Sequence, residues 1–232
     1  MSKALVILSG GQDSTTCLAV AKQRFTEVHA VTFEYGQKHA IELESARRVA
    51  ELMEVNSHEV ITLGRILAGT SPLVSDTPLG KYNSPAELPG GIEPTFVPGR
   101  NLLFLTLAAN RAAVLGVNHL FTGLCEEDFG GYPDCRQVFV DAMASALSEG
   151  IWGQPGVFKI HTPLMHLNKA DSVRLAVDVL GDQFESVMAE THTCYDGVKG
   201  GCGQCHACHL RDRGFREAGI NDPIWKYRKV TA

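Results

Sequence analysis

Two short stretches of this chain concentrate residue types that do chemistry. The first is Ser9-Gly10-Gly11-Gln12-Asp13-Ser14, followed by Thr15 and Thr16. Glycine lets a backbone approach an anion with no Cβ in the way. The free N–H groups at a helix start carry a partial positive charge, and hydroxyls add donors. This composition predicts a phosphate or pyrophosphate cradle; the plain alternative is a tight turn with a Ser/Thr-capped helix. The loop lacks the Lys of GxxxxGK[ST] and lacks GxGxxG spacing. The second stretch holds Cys194, Cys202, Cys205 and Cys208, with glycines at 197, 200, 201 and 203. Four thiolates suit tetrahedral Zn²⁺ and close its coordination shell, which makes such a site structural. The pattern C-x-x-C-H occurs twice here, but the copies share Cys205, so two haems cannot both attach. An iron–sulfur cluster accepts the same ligands, and spacing alone leaves it open.

A third stretch, Glu126 to Arg136, combines four carboxylates, Phe129, Tyr132 and an arginine. A flat heterocycle can stack on such aromatics, a carboxylate can accept two N–H bonds from a guanine-like edge, and Arg136 can pair with an anion. The competing reading is a solvated acidic turn.

These stretches need elements to hold them. Ala4–Leu8 is a continuous apolar run, as in a strand buried on both faces. A helix is expected from about Ser14 to Arg24, a strand over Val28–Phe33, a helix over Gln37–Met53 and a strand over His58–Leu63. Further on, a helix is expected over Asn101–Leu115, a strand over His119–Gly123, a helix over Gln137–Ser148 and a strand over Val157–His161. A last helix runs from an Asn168 cap to Leu180. Alternation of this kind predicts a Rossmann-like, doubly wound parallel α/β sheet. Residues 64–99 interrupt it with six prolines and six glycines, and read as a long loop beside a site. Residues 1–185 are expected to form the α/β domain and residues 186–232 a C-terminal zinc-binding subdomain.

The net charge is −5, which argues against a protein that grips nucleic acid by its phosphates. Residues 211–232 hold six Lys/Arg against three Asp/Glu, so an RNA contact there stays open. No apolar run approaches the roughly 18–20 residues of a membrane span. The N-terminus carries no signal-like run, so a cytoplasmic location is expected. In that reducing setting clustered cysteines read as metal ligands. Cys17 reads as a small buried hydrophobe.

SGGQDS resembles the SGGxDS loop of the PP-loop ATP pyrophosphatase superfamily, which cleaves ATP to AMP and pyrophosphate. The chain as a whole resembles the 7-cyano-7-deazaguanine synthase family. The matching pieces are SGGQDSTTCL (9–18), VTFEYGQKH (31–39), FVPGRN (96–101), GYPDCR (131–136), TPLM (162–165), THTCYDG and CGQCHAC. Gly130 stands where that family usually has Ser. The resemblance implies a ligase that turns 7-carboxy-7-deazaguanine and ammonia into the nitrile with ATP and Mg²⁺. It implies that Leu8, Ser9, Gly10, Gly11, Gln12, Asp13, Ser14, Thr15, Thr16, Cys17 and Leu18 hold ATP. Ser9, Asp13, Ser14, Arg100 and Arg136 become the catalytic candidates, with Asp13 a possible Mg²⁺ ligand. Asp128, Tyr132, Asp134 and Arg136 become the substrate candidates, and Phe33, Glu34 and Tyr35 lie where adenosine rests in such sheets. Lys38 and Lys169 read equally as phosphate partners and as solvated residues. One structural zinc and a homodimer are implied. A tRNA-modifying adenylating enzyme, or a zinc and nucleotide-binding module without catalysis, are the alternatives.

Overall fold

A computed structural model describes residues 2–37, 41–84, 87, 92–126 and 131–227. The chain opens β1 (Lys3–Ile7), α1 (Gln12–Arg24), β2 (Glu27–Glu34), α2 (Ile41–Leu52), β3 (Ser57–Thr62). It continues α3 (Arg100–Leu115), β4 (His119–Phe121), α4 (Gln137–Leu147), β5 (Lys159–His161), α5 (Lys169–Leu180), α6 (Phe184–Met188) and α7 (His206–Ala218). All strand pairs are parallel and the order is β3-β2-β1-β4-β5. This is the doubly wound sheet that the alternation of apolar runs predicts.

The strand period of two explains the two cores. Ala4, Val6 and Leu8 face one side, against Leu18 of α1, Val49 of α2, Val173 of α5 and Phe215 of α7. Leu5, Val31 and Phe33 face the other, against Leu105 and Ala109 of α3 and Val140 of α4. A central strand covered on both faces must be apolar throughout, and Ala4, Leu5, Val6 and Leu8 are all essentially unexposed. Each fully buried Leu contributes about 1.5–3 kcal/mol.

β1 lies between β2 and β4, and the chain leaves these strands toward opposite faces. A crevice therefore opens at their C-terminal ends, the switch point where doubly wound sheets bind ligands. Leu8, Ser9 and Gly10 emerge there.

The Asn168 cap forms as expected, its side chain accepting the Asp171 N–H at 2.8 Å. α1 begins two residues earlier than expected, and β4 and β5 are each shorter. α7 is a helix that hydrophobic periodicity does not announce. Its buried stripe is Ala207, Cys208, Arg211, Gly214 and Phe215, which has helical spacing but only one large apolar member.

Residues 64–99 hold one short turn of 3₁₀ helix, Pro72–Val74, among their described members. The segment leans on the cysteine-rich region: Tyr82 N–H donates to Gln204 O at 2.9 Å, His209 Nε2 lies 3.0 Å from Tyr82 O, and Lys81 pairs with Asp196. Among the described residues no helix is long and apolar enough to cross a membrane.

Candidate functional site

The loop after β1 is held from within. Ser14 Oγ accepts the Ser9 N–H at 3.1 Å, lies 3.0 Å from Ser9 Oγ and donates to Gly11 O at 3.1 Å. Thr15 Oγ1 donates to Gly11 O at 2.8 Å. The N-cap of α1 is Gly11, so no side chain caps the first turn. Its N–H groups remain available to an anion.

Gly10 has φ +82° and packs on α2. A Cβ there would lie 2.5 Å from Glu42 O and 2.6 Å from Ala46 N. Gly123, after β4, abuts the same loop: a Cβ there would lie 3.2 Å from Asp13 Cβ and Ser14 N. Both glycines allow close approach of backbone, not only a turn.

A cavity of about 270 Å³ opens over this loop at the ends of β1, β2 and β4. Ser9, Gly11, Gln12, Asp13 and Ser14 form its floor. Phe33 and Tyr35 form a wall with Phe104, whose ring stacks on Phe33 at 4.4 Å and meets Tyr35 edge-on at 5.1 Å. Glu34 turns elsewhere and accepts from Thr62 Oγ1 at 2.8 Å. Thr15, Thr16, Cys17 and Leu18 are buried behind the floor, in the body of α1. Burial raises the Cys17 thiol well above its usual range, as befits a small hydrophobe.

Arg100, at the start of α3, reaches the cavity, which Tyr35 also lines, and the two side chains interact electrostatically. Burial is the largest influence and opposes its charge, but Tyr35, Tyr195 and Cys135 together hold the guanidinium above its ordinary range. Glu42 of α2 also lines the cavity. Burial pushes its carboxyl up to about 7, against the pull of Arg100.

The residues of the GYPDCR stretch separate. Tyr132 is buried and its hydroxyl lies 2.9 Å from Thr95 Oγ1. Asp134 is buried behind the cavity wall, and burial raises its carboxyl despite Arg100. Asn101 Nδ2 donates to the Asp134 backbone oxygen at 3.2 Å. Cys135 reaches the cavity, its thiol pushed up to about 12 by burial. Arg136 is exposed at the N-cap of α4 and does not line the cavity. Asp128, Phe129, Gly130 and Lys38 lie outside the described residues.

Seven cavity-lining residues come from the C-terminal third, among them Lys169, His192 and Arg211, which their spacing does not signal. Lys169 has a side chain only 6% exposed, and Nζ lies 3.0 Å from Asp13 Oδ2, which removes the solvated reading. Arg211 is 2% exposed and binds Asp222 through two bonds of 2.7 and 2.8 Å. It also donates to Thr191 Oγ1 at 2.8 Å and Thr193 Oγ1 at 3.1 Å. The first cation of the basic 211–232 stretch is thus internal, not part of an RNA-facing surface. His192 N–H donates to Gly10 O at 2.8 Å, seating residues 191–193 on the loop. Only their place in THTCYDG hinted at them.

Cys194, Cys202, Cys205 and Cys208 bring their sulfurs within 4.8 Å of one another. Tetrahedral Zn–S bonds of about 2.3 Å put sulfurs about 3.8 Å apart, and Cys202 and Cys208 Sγ are 4.0 Å apart. Backbone N–H groups of Cys202, Gln204 and Cys205 point at sulfur at 3.3–3.4 Å. Crowding with Cys205 and Cys208 holds the Cys194 thiol well below its ordinary range, while Cys194 holds that of Cys208 above it. The donor set fits a thiophilic cation with a closed shell. Cys205 is the N-cap of α7, so the cluster and Arg211 share one helix.

A doubly wound parallel sheet, a glycine loop with an uncapped helix start at its switch point, and a four-thiol cluster beside it define a PP-loop-type α/β protein with a four-cysteine knuckle. The model of the queuosine biosynthesis protein QueC family matches residues 3–219, and the chain belongs to that family. It is 67% identical over 229 residues to a 7-cyano-7-deazaguanine synthase of Gloeobacter violaceus, covering 99% of this chain and 98% of the relative. Solved structures resemble it more distantly. A predicted tRNA methyltransferase subunit from Methanocaldococcus jannaschii is 18% identical with TM-score 0.46, covering 72% of this chain and 70% of that one. An NH3-dependent NAD synthetase from Campylobacter jejuni is 16% identical with TM-score 0.45, covering 97% and 81%.

Proposed function

We propose that this chain is a 7-cyano-7-deazaguanine synthase, an ATP-dependent ligase that makes the nitrile from 7-carboxy-7-deazaguanine and ammonia. The observation that carries this reading is the cavity floored by Ser9–Ser14 and walled by Arg100, in a chain 67% identical to a curated synthase of that name.

A carboxylate is a poor electrophile, because its charge repels nucleophiles and oxide leaves badly. Its oxygen attacks the α-phosphorus of ATP and pyrophosphate departs. Ammonia then adds to the acyl carbon and AMP leaves with the oxygen, giving the amide. The amide oxygen attacks the α-phosphorus of a second ATP and a second pyrophosphate departs; loss of AMP with the oxygen, and of the two remaining N–H protons, gives the nitrile.

Leu8–Leu18 are the ATP segment in this reading. The uncapped N–H groups of α1, with Ser9 and Ser14, bind pyrophosphate and its developing charge. Arg100 clamps a phosphate or the substrate carboxylate. Phe33, Tyr35 and Phe104 offer adenosine an apolar wall. Mg²⁺, accompanying ATP, would supply charge neutralisation between phosphates; Asp13, its candidate ligand in the sequence, is engaged by Lys169 and could serve it only if that pair opens. Asp128, Tyr132, Asp134 and Arg136 remain the proposed substrate set, with burial of Tyr132 and Asp134 supporting positioning of the loop that carries them. Zinc on the four cysteines fastens residues 186–232, a proposed subdomain, against the 1–185 domain. The protein is proposed to act as a cytoplasmic homodimer on small molecules.

The test supplies ATP, Mg²⁺, ammonium and 7-carboxy-7-deazaguanine and separates products by chromatography. AMP, pyrophosphate and the nitrile are expected, two AMP per nitrile. ADP and phosphate as the nucleotide products would refute the reading.

A further inference from the structure

Gln12, the first residue of α1, is 5% exposed and forms part of the cavity lining. Its Nε2 donates to Asp13 Oδ1 at 3.4 Å. Its Oε1 is buried, and among the described residues none donates to it. The orientation of the amide follows from Asp13. With the two atoms exchanged, a carbonyl oxygen would face a carboxylate.

A buried acceptor without a donor carries an uncompensated desolvation penalty. It is also out of character with its surroundings. The floor of the cavity presents N–H and hydroxyl donors suited to phosphate oxygens, and a carbonyl oxygen repels those same oxygens. Gln12 Oε1 therefore fits a ligand that brings N–H donors or positive charge.

Lys169 narrows the choice. Its ammonium, 3.0 Å from Asp13 Oδ2, already compensates the adjacent carboxylate. A divalent cation there would meet one neutral carbonyl beside a fixed positive charge, a poor site for a hard ion that seeks several oxygens. Ammonium is disfavoured by the same lysine. Neutral ammonia is not. It can give one N–H to a carbonyl and keep its lone pair free for the acyl carbon.

We propose that Gln12 Oε1 accepts an N–H from the ammonia substrate and holds that molecule beside the phosphate cradle. The inference rests on the amide- and nitrile-forming reading above. It adds to the loop a task that backbone N–H groups cannot perform, since they only donate.

Steady-state nitrile formation at fixed pH, with ammonium and then ATP as the varied substrate, separates the possibilities. Gln12→Met keeps the length and removes the acceptor. Its KM for ammonium is expected to rise about tenfold more than its KM for ATP. Equal rises, or a larger rise for ATP or Mg²⁺, overturn the proposal, because they place the side chain on phosphate or metal. An ammonium KM that stays within about twofold of the wild type overturns it as well. Gln12→Glu keeps both shape and acceptor, and covers the case in which the Met variant does not fold. Its ATP KM is expected to rise from charge repulsion while its ammonium KM stays within about threefold of wild type. The reverse order overturns the proposal. A wild-type protein that makes no nitrile defeats the functional reading itself, an outcome distinct from any of these.

Discussion

Lys169 Nζ lies 3.0 Å from Asp13 Oδ2 and 3.3 Å from Oδ1, an ion pair between residues 156 positions apart. It joins the first turn of α5 to the first turn of α1 and fixes the side of the loop that faces the cavity. Removing one partner of a buried pair costs about 3–5 kcal/mol. The Asp13 side chain is 20% exposed, and solvent screening reduces the loss here to about 2 kcal/mol. Lys169→Met is expected to lose that stability in urea unfolding and to raise the KM for ATP. Adding Asp13→Asn should recover part of the stability, because the stranded charge is gone; strict additivity of the two losses would show that the pair is uncoupled.

Gly214 of α7 is what lets Lys169 pass. A Cβ there would lie 2.3 Å from Lys169 Cγ and 3.0 Å from its Cβ. Gly to Ala inside a helix normally stabilises by about 1 kcal/mol. Gly214→Ala should instead lower Tm by several degrees, since overpacking costs about 1–3 kcal/mol. A variant as stable as wild type would show that α5 and α7 have slack.

Gly10 tolerates no side chain for two independent reasons, its φ of +82° and the α2 backbone 2.5 Å from a Cβ. Backbone atoms cannot swing aside as a side chain can. Gly10→Ala is expected to lose on the order of 3 kcal/mol or more, together with ATP affinity measured by calorimetry.

Glu42 gives a pH signature. Its carboxyl rises from an ordinary 4.5 to about 7 on folding, chiefly through burial. A group raised in this way binds its proton more tightly in the folded chain. Its favourable contribution is complete below the unfolded value and is lost as pH rises through the folded one. Glu42→Gln should therefore melt higher than wild type above pH 7, with the gap closing toward pH 4.5. A gap independent of pH would remove burial of the charge as its cause.

The cysteine cluster should hold about one zinc per chain by elemental analysis, the number one closed four-thiolate site takes. A strong chelator should lower Tm, because metal binding and folding are linked. Cys194→Ser should bind zinc more weakly and loosen residues 191–193 from Gly10, seen as lower ATP affinity. Iron with visible absorbance would replace zinc in this account.

Much of the site was legible because it is local. The Ser9–Ser14 loop, the strand before it and the helix after it are consecutive, so glycine freedom and apolar patterning announce them directly. Cys202, Cys205 and Cys208 are spaced by three, and a ligand set of that kind shows itself in one dimension. The two-sided sheet follows from continuous apolar runs.

Sequence alone thus determined the class of fold, the loop that faces the cavity and the four cysteines that cluster. The tertiary structure decided which distant residues complete them. Lys169 looked equally like a surface lysine, Arg211 like part of a basic tail, and Glu42 like any acidic residue in a first helical turn. Lys169 acquired its role from burial and a partner on α1, Arg211 from burial and Asp222 in the loop after its helix, and Glu42 from burial beside Arg100. Charge type is written in the sequence, but desolvation and pairing belong to the packed molecule, because they depend on distances that chain order does not specify.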